Sequence, residues 1–276
     1  MSATDRADRI AVVTGAGRGL GLAIAQRLAA DGYAVAVTDI DEAQAQRAAA
    51  AIEAAGGRAK GYALDVASAP RVDAVFAAAA RDLGNPTALV NNAGIWCNTP
   101  FLELSAQAWS RTLAVNLTGP FLCSQAFARL RLADGGGGAI VNIASVSAFS
   151  AREAAADYAA SKAGLVMLTR SAAWELGKHD IRVNAVAPGL TLTSDNFGSP
   201  EFRAAAVRTM PRGRAGRPSD IAATVAFLLS DASDFIDGEC IVADGGFLAG
   251  RLMPAFDSAP PGAGDTARSN TTKGPP

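Results

Sequence analysis

The sequence predicts an α/β fold: one doubly wound domain, a seven-stranded and mainly parallel sheet flanked by helices. Three observations carry this. Short apolar runs alternate with longer helical ones from end to end, the pattern of parallel strands joined by helical crossovers. The strand-like runs, "AIVNIA" above all, lack polar alternation and so suit burial on both faces. No composition break marks a second domain, although 276 residues could hold one large or two small ones at about 100–200 residues each.

The expected strands are "RIAVVT", "YAVAVT", "AKGYAL", "ALVNN", "GAIVNIA", "IRVNAVA" and "ECIVA", in chain order. Between them, helical spacing follows Gly21 and runs over Asp41 to Ala55, Ser68 to Leu83, Ala155 to Gly177 and Ser219 to Leu229. Asn116, in "LAVNLTG", interrupts a further apolar helix, and a polar group so placed needs a partner. The longest irregular stretch, about residues 191–217, is expected to form a lid, because long loops in compact domains tend to be functional. The catalytic domain is expected over residues 1–253. Residues 254–276, rich in Pro, Gly, Ser and Thr, read as a flexible tail.

Composition excludes several function classes. The net charge is −1 with acids and bases dispersed, which argues against a nucleic-acid surface. Cys97, Cys123 and Cys240 lie far apart and His179 is the lone histidine. No metal site is expected from such a set, and the cysteines read as buried reduced thiols. "MSATDRADRI" lacks the apolar core of a signal peptide, and no apolar run approaches the ~18 residues of a membrane span. A soluble, cytoplasmic protein is expected.

The first chemistry-bearing stretch is "VVTGAGRGLGLAIA". The pattern G-x-G-x-x-G fails at Leu20, whereas Thr14, Gly15, Gly19 and Gly21 fit T-G-x-x-x-G-x-G. Gly15 permits the turn out of the strand, Gly19 lets backbone approach a pyrophosphate at a helix N-terminus, and Gly21 lets helix pack on sheet. The alternative is a glycine-rich turn without ligand. Asp39, about 20 residues on, falls where a dinucleotide-binding unit places its ribose acid. A carboxylate there accepts both ribose hydroxyls and repels a 2′-phosphate, so it favours NAD over NADP. Arg18 pulls the other way, but the residue after Asp39 is Ile40 and no second base supports it. The alternative for Asp39 is a solvated turn residue or helix cap beside Asp41.

The second stretch is "DYAASKAGL". Tyr158 and Lys162 stand four apart, so both leave one helix face. A phenol titrates near pH ~10, and lowering it by ~3 units takes roughly 4 kcal/mol. One ammonium ~4 Å away at an effective dielectric of ~20 supplies about that much, so the pair is a workable proton-transfer unit. Taken alone, the spacing equally describes an exposed surface pair. Ser145 stands at the end of a buried strand, where a ligand crevice opens in such sheets, and "LVNNAG" ends another.

Together these features resemble the short-chain dehydrogenase/reductase family over about residues 9 to 247. The motifs in order are TGAGRGLG, Asp65-Val66, NNAG, Asn116, Ser145, Tyr158/Lys162, "APG" at Ala187 to Gly189, and a last strand before "DGG". The resemblance implies a Rossmann-type domain and a catalytic set. Tyr158 is the acid/base, Lys162 lowers its pKa and holds the nicotinamide ribose, Ser145 bonds the reacting oxygen, and Asn116 anchors a relay water. It also implies that Gly15, Arg18, Gly19, Leu20, Asp39, Ile40, Asp65, Val66, Asn92, Ala93, Gly94, Pro188, Gly189, Thr191 and Thr193 contact the cofactor, NAD. Asp65 and Val66 take the adenine and Thr193 the carboxamide. Substrate walls fall to Trp96, Ser147 and Phe149 beside Ser145 and Tyr158, and the two aromatics suggest an apolar or cyclic alcohol unless they pack under the lid. The 3-hydroxybutyrate dehydrogenases carry polar or basic residues where this chain has Trp96 and Ala155, which counts against that acid. Arg152 and Arg212 read as solvated surface arginines, with an anion contact as the alternative.

The expected activity is thus NAD-dependent interconversion of a small-molecule secondary alcohol and ketone, with no nucleic-acid or membrane partner. The runner-up is an NADPH-using 3-oxoacyl-thioester reductase. A non-catalytic dinucleotide-binding protein is the reading from another class, and a broken catalytic set would identify it. The family resemblance also implies a homo-oligomer, a tetramer through the long helices.

Overall fold

The computed structural model describes residues 9–193 and 199–250. Its strands are β1 (Ile10–Thr14), β2 (Ala34–Asp39), β3 (Arg58–Ala63), β4 (Ala88–Asn91), β5 (Gly138–Ile143), β6 (Ile181–Pro188) and β7 (Cys240–Ala243). They form one sheet in the order β3-β2-β1-β4-β5-β6-β7, and every adjacent pair is parallel. The chain winds outward from β1 in one direction and then, from β4, in the other. The switch point is the β1/β4 seam, where Val12 pairs with Leu89 and Val13 with Val90. Ligands of doubly wound sheets bind beyond the carboxyl ends of the strands at such a seam.

Both sheet faces are covered, which explains the unbroken apolar strands. Ala11, Val13, Val35, Val37, Val90 and Val141 point to one face, where Ile24 and Leu28 of α1 (Gly19–Ala30), α2 (Glu42–Ala54) and α8 (Pro218–Leu228) pack. The alternate residues Val12, Ala36, Leu89 and Ile140 point to the other, following the two-residue strand period. There α3 (Ala69–Leu83) presents Val72, Val75, Phe76 and Ala79, a stripe at helical spacing.

Two elements depart from expectation. The Asn116 helix is one run in three parts: α4 (Ala106–Leu113), a π-helical turn (Ala114–Thr118) and α5 (Gly119–Ala133). The stretch expected to be irregular contains α7 (Pro200–Arg208). It spans only nine residues and its apolar residues are mostly alanine, so no helical period stands out, although Pro200 starts it as a first-turn proline does. Of the expected lid, residues 194–198 lie outside the described residues, as does the whole expected tail, 254–276. The Tyr158 helix is α6 (Ala156–Leu176).

Candidate active site

β1 delivers the chain to the glycine loop at the seam. Gly15 and Gly19 have φ of +60° and +57°, left-handed backbone that glycine adopts without steric cost. A Cβ on Gly15 would lie 2.8 Å from Ala93 Cα, and one on Gly21 would collide with the Gly15 carbonyl and the Asn92 side chain. Those glycines serve close packing. Among the described residues a Cβ at Gly19 would meet Thr193 alone, 3.5 Å away, so none of the others crowds the start of α1. That helix begins with no side-chain cap and no acid in its first turn, and its leading amides suit an anion. This cradle fits the pyrophosphate of a dinucleotide. Arg18 is exposed and caps α1 through backbone alone, whereas Leu20 is half-buried against the core.

The cradle is tied to β4. Thr14 Oγ1 accepts from the amides of Asn92 and Ala93, each at 3.0 Å. Asn92 Nδ2 donates to the carbonyls of Thr14 and Gly15, each at 2.9 Å. Asn92 therefore shapes the trough by holding the loop. Across it, Asp39 Oδ2 accepts from Gly17 N at 3.0 Å and Oδ1 from Asp41 N at 3.1 Å. The carboxylate is both a local backbone acceptor and a group facing the loop, and it keeps acceptor capacity to spare. Ile40 beside it is exposed. Asp65, also exposed, accepts from Ala67 N at 3.0 Å. The Val66 side chain is buried, and a Cβ on Gly119 would stand 2.8 Å from it.

The side chains expected to transfer the proton gather on the other side of the seam. Ser145 follows β5 and caps a short 3-10 turn, its Oγ accepting from Ser147 N at 3.1 Å. Tyr158, half-buried in the first turn of α6, lies close enough to Ser145 for that hydroxyl to favour the ionised phenol. One turn on, Lys162 is buried and its Nζ donates to Ile143 O at 2.7 Å. Asn116 lies in the π-helical turn, a local expansion common at functional sites. Its Oδ1 accepts from Ile95 N at 2.8 Å, and its Nδ2 donates to Ile95 O at 2.8 Å and Ser161 Oγ at 3.1 Å. Gly94 is the meeting point: a Cβ there would lie 3.4 Å from Asn116 Oδ1 and 3.6 Å from Lys162 Nζ. All four expected catalytic side chains thus converge.

Lys162 Nζ sits 5.8 Å from the Tyr158 ring centroid, with its hydrogen bond directed to Ile143 O. Burial raises the Tyr158 pKa, and what opposes it is the Ser145 hydrogen bond and the Arg152 charge. Lys162 is itself pushed down to about 8 by burial, since desolvation disfavours an ammonium.

The remaining residues line the approach. Trp96 and Phe149 are 54% and 50% exposed, so neither is packed away. They follow neighbouring strands β4 and β5 and open on the same sheet edge. Pro188 is buried at the end of β6, and a Cβ on Gly189 would stand 2.8 Å from Asp244 Cα. Thr191 donates to Gly189 O at 3.2 Å, while Thr193 faces Gly19. Arg152 Nη2 donates to Asn98 Oδ1 at 2.9 Å and Nη1 to Glu153 O at 3.2 Å. Arg212 stands elsewhere, its amide on Gly245 O at 3.3 Å.

Sequence reasoning missed Asp157, which is 1% exposed beside Tyr158. Its Oδ2 accepts from Thr112 Oγ1 at 2.6 Å and Cys97 Sγ at 3.0 Å. Burial would raise this carboxyl, yet those donors and nearby amides hold it below its usual value. Asp157 therefore ties the Trp96 loop and α4 to the start of α6. Cys97 is exposed, not buried as expected, whereas Cys123 is buried. An acid immediately before the tyrosine was the available signal. Also missed was the core chain in which Asn91 Nδ2 donates to Asn142 Oδ1 (2.8 Å) and Asn142 Nδ2 to Thr169 Oγ1 (2.9 Å).

Comparison with known proteins agrees with this geometry. A protein-family profile described as enoyl-(acyl carrier protein) reductase matches residues 15–248. The chain is 40% identical over 250 residues to 2-(S)-hydroxypropyl-CoM dehydrogenase 3 of Xanthobacter autotrophicus, covering 88% of this chain and 97% of that one. It is 41% identical over 257 residues to 3beta-hydroxysteroid dehydrogenase 1 of Eggerthella lenta, covering 91% and 97%. A crystal structure of a short-chain type dehydrogenase/reductase from Mycobacterium marinum superposes with a TM-score of 0.83 at 34% identity, covering 89% and 99%. The chain belongs to the short-chain dehydrogenase/reductase family of oxidoreductases, which bind a nicotinamide dinucleotide.

Proposed function

We propose that the protein is an NAD-dependent dehydrogenase that interconverts a secondary alcohol and its ketone, with Tyr158 as acid/base. The observation that carries the reading is the chain of contacts that brings Asn116 and Lys162 together at Gly94, Lys162 to Tyr158 and Tyr158 to Ser145, beside the cradle over α1. The bound nicotinamide supplies the hydride acceptor or donor. In alcohol oxidation Ser145 Oγ orients the carbinol oxygen and Tyr158 Oη takes its proton; in ketone reduction Tyr158 returns it. Lys162 holds a buried positive charge next to the phenol, and Asn116 holds the backbone of Ile95 and the hydroxyl of Ser161 in place.

Asp39 supports NAD over NADP, because its carboxylate faces the cradle where a 2′-phosphate would be repelled. The same residue counts against an NADPH-linked 3-oxoacyl-thioester reductase, and the intact catalytic set counts against a non-catalytic dinucleotide binder. Exposed Trp96 and Phe149 favour an apolar or cyclic alcohol. Relatives named for such alcohols include 3beta-hydroxysteroid dehydrogenase 1 and the cis-4-hydroxycyclohexanecarboxylate dehydrogenase of Sinomonas cyclohexanicum. The test is a screen for reduced cofactor from cyclic and aryl secondary alcohols, offered NAD or NADP in parallel. Turnover with NAD exceeding that with NADP is expected; failure with every alcohol overturns the reading.

A further inference from the structure

Two loops at the carboxyl edge of the sheet meet beside Tyr158. One follows β4 and carries Trp96 and Asn98; the other follows β5 and carries Phe149, Arg152 and Ala154. Among the described residues a side-chain bond joins them, Arg152 Nη2 to Asn98 Oδ1 at 2.9 Å, although the residues are 54 apart in sequence. The backbone at both ends of this bridge is unusual. Asn98 and Ala154 have φ of +46° and +54°, two of only three described non-glycine residues with positive φ. Left-handed backbone costs free energy in an alanine, and such conformations gather at ligand clamps.

The bridge leaves the guanidinium charged and only partly engaged. Arg152 forms no ion pair among the described residues. Its two bonds go to the uncharged oxygens of Asn98 and Glu153, and Nε–H and one proton on each Nη remain. Those are the donors that hold a carboxylate in two-point fashion. The charge also reaches the reacting centre: burial raises the Tyr158 phenol, and Arg152 is among the groups that lower it.

We propose that Arg152, fixed by Asn98 across the entrance, is an anion subsite, and that the alcohol substrate is a ring compound bearing a carboxylate remote from its carbinol. The inference rests on the dehydrogenase reading above. The aromatic side chains Trp96 and Phe149 contact the ring, Arg152 takes the carboxylate, and Tyr158 and Ser145 meet the carbinol. Arg152 is a specificity determinant here, not a catalytic residue.

The experiment compares wild type, Arg152→Gln and Arg152→Lys with NAD and two substrates, 4-hydroxycyclohexanecarboxylate and its methyl ester. NADH binding by fluorescence verifies that each variant is folded. Wild type should prefer the carboxylate. Arg152→Gln should lower the acid-to-ester ratio of kcat/KM by about ten-fold or more, through KM for the acid, and Arg152→Lys should restore part of it. A ratio unchanged in Arg152→Gln, including the case where both substrates slow equally, overturns the proposal, because a cation acting only on Tyr158 predicts that result. Wild type that prefers the ester, or ignores both while oxidising other secondary alcohols, overturns it and leaves the dehydrogenase reading standing. Wild type that forms no NADH from any alcohol overturns both.

Discussion

Lys162 holds an ammonium wholly inside the protein against a single carbonyl, Ile143 O. Burial pushes its pKa from 10.5 down to about 8. Between those values the unfolded chain keeps the proton and the folded chain does not, so stability must rise with pH. Relative to Lys162→Met, wild type should gain on the order of 3 kcal/mol on going from about pH 8 to about pH 10.5. Below pH ~8 both states are protonated and that gain is absent. Denaturant unfolding of the two proteins across this window reads the difference, and parallel curves would contradict it. At this scale the sequence was partly legible. Tyr-x-x-x-Lys marks the pair because four residues make one helix turn, but spacing does not say which oxygen the lysine meets. The contacts of Arg152 with Asn98 and Asp157 with Cys97 join distant segments and leave no periodic trace.

Among the elements, the glycine loop and the end of β2 act as one unit. Asp39 holds the Gly17 amide, and a Cβ on Gly17 would press within 2.9 Å of the Asp39 carboxylate. Asp39→Ala removes a loop anchor and, on the proposed reading, the charge that would discriminate against a 2′-phosphate. The NAD-to-NADP ratio of kcat/KM should fall roughly ten-fold or more, a charge-assisted hydrogen bond's worth or greater. Kinetics with both cofactors measures it, and an unchanged ratio would refute the ribose assignment. The loop was readable from the sequence because only glycine fits Gly15 and Gly21, whose backbones touch Ala93 and Asn92. The π-helical turn at Asn116 was signalled only as a polar residue in an apolar helix. α7 was missed because Pro200–Arg208 is short and its apolar residues, mostly alanine, show no period.

For the whole molecule, a parallel sheet follows from strand–helix alternation, so the sheet was the most legible feature. Seven apolar runs became seven strands in one parallel sheet, since a strand buried on both faces has little freedom in composition. The strand order itself is not dictated by the alternation; its switch point puts the glycine loop and the Tyr158 group on one edge. No helix among the described residues is long and apolar enough to cross a membrane. What the fold cannot specify is the alcohol, because the walls come from loops whose contacts the sheet does not dictate. The central claim is that this edge performs proton transfer through Tyr158. Its most direct test is Tyr158→Phe, assayed for NADH formation from an alcohol the wild type oxidises, with NADH affinity measured on the same sample. Turnover should fall by at least about a hundred-fold while NADH still binds; near-normal turnover would contradict the account.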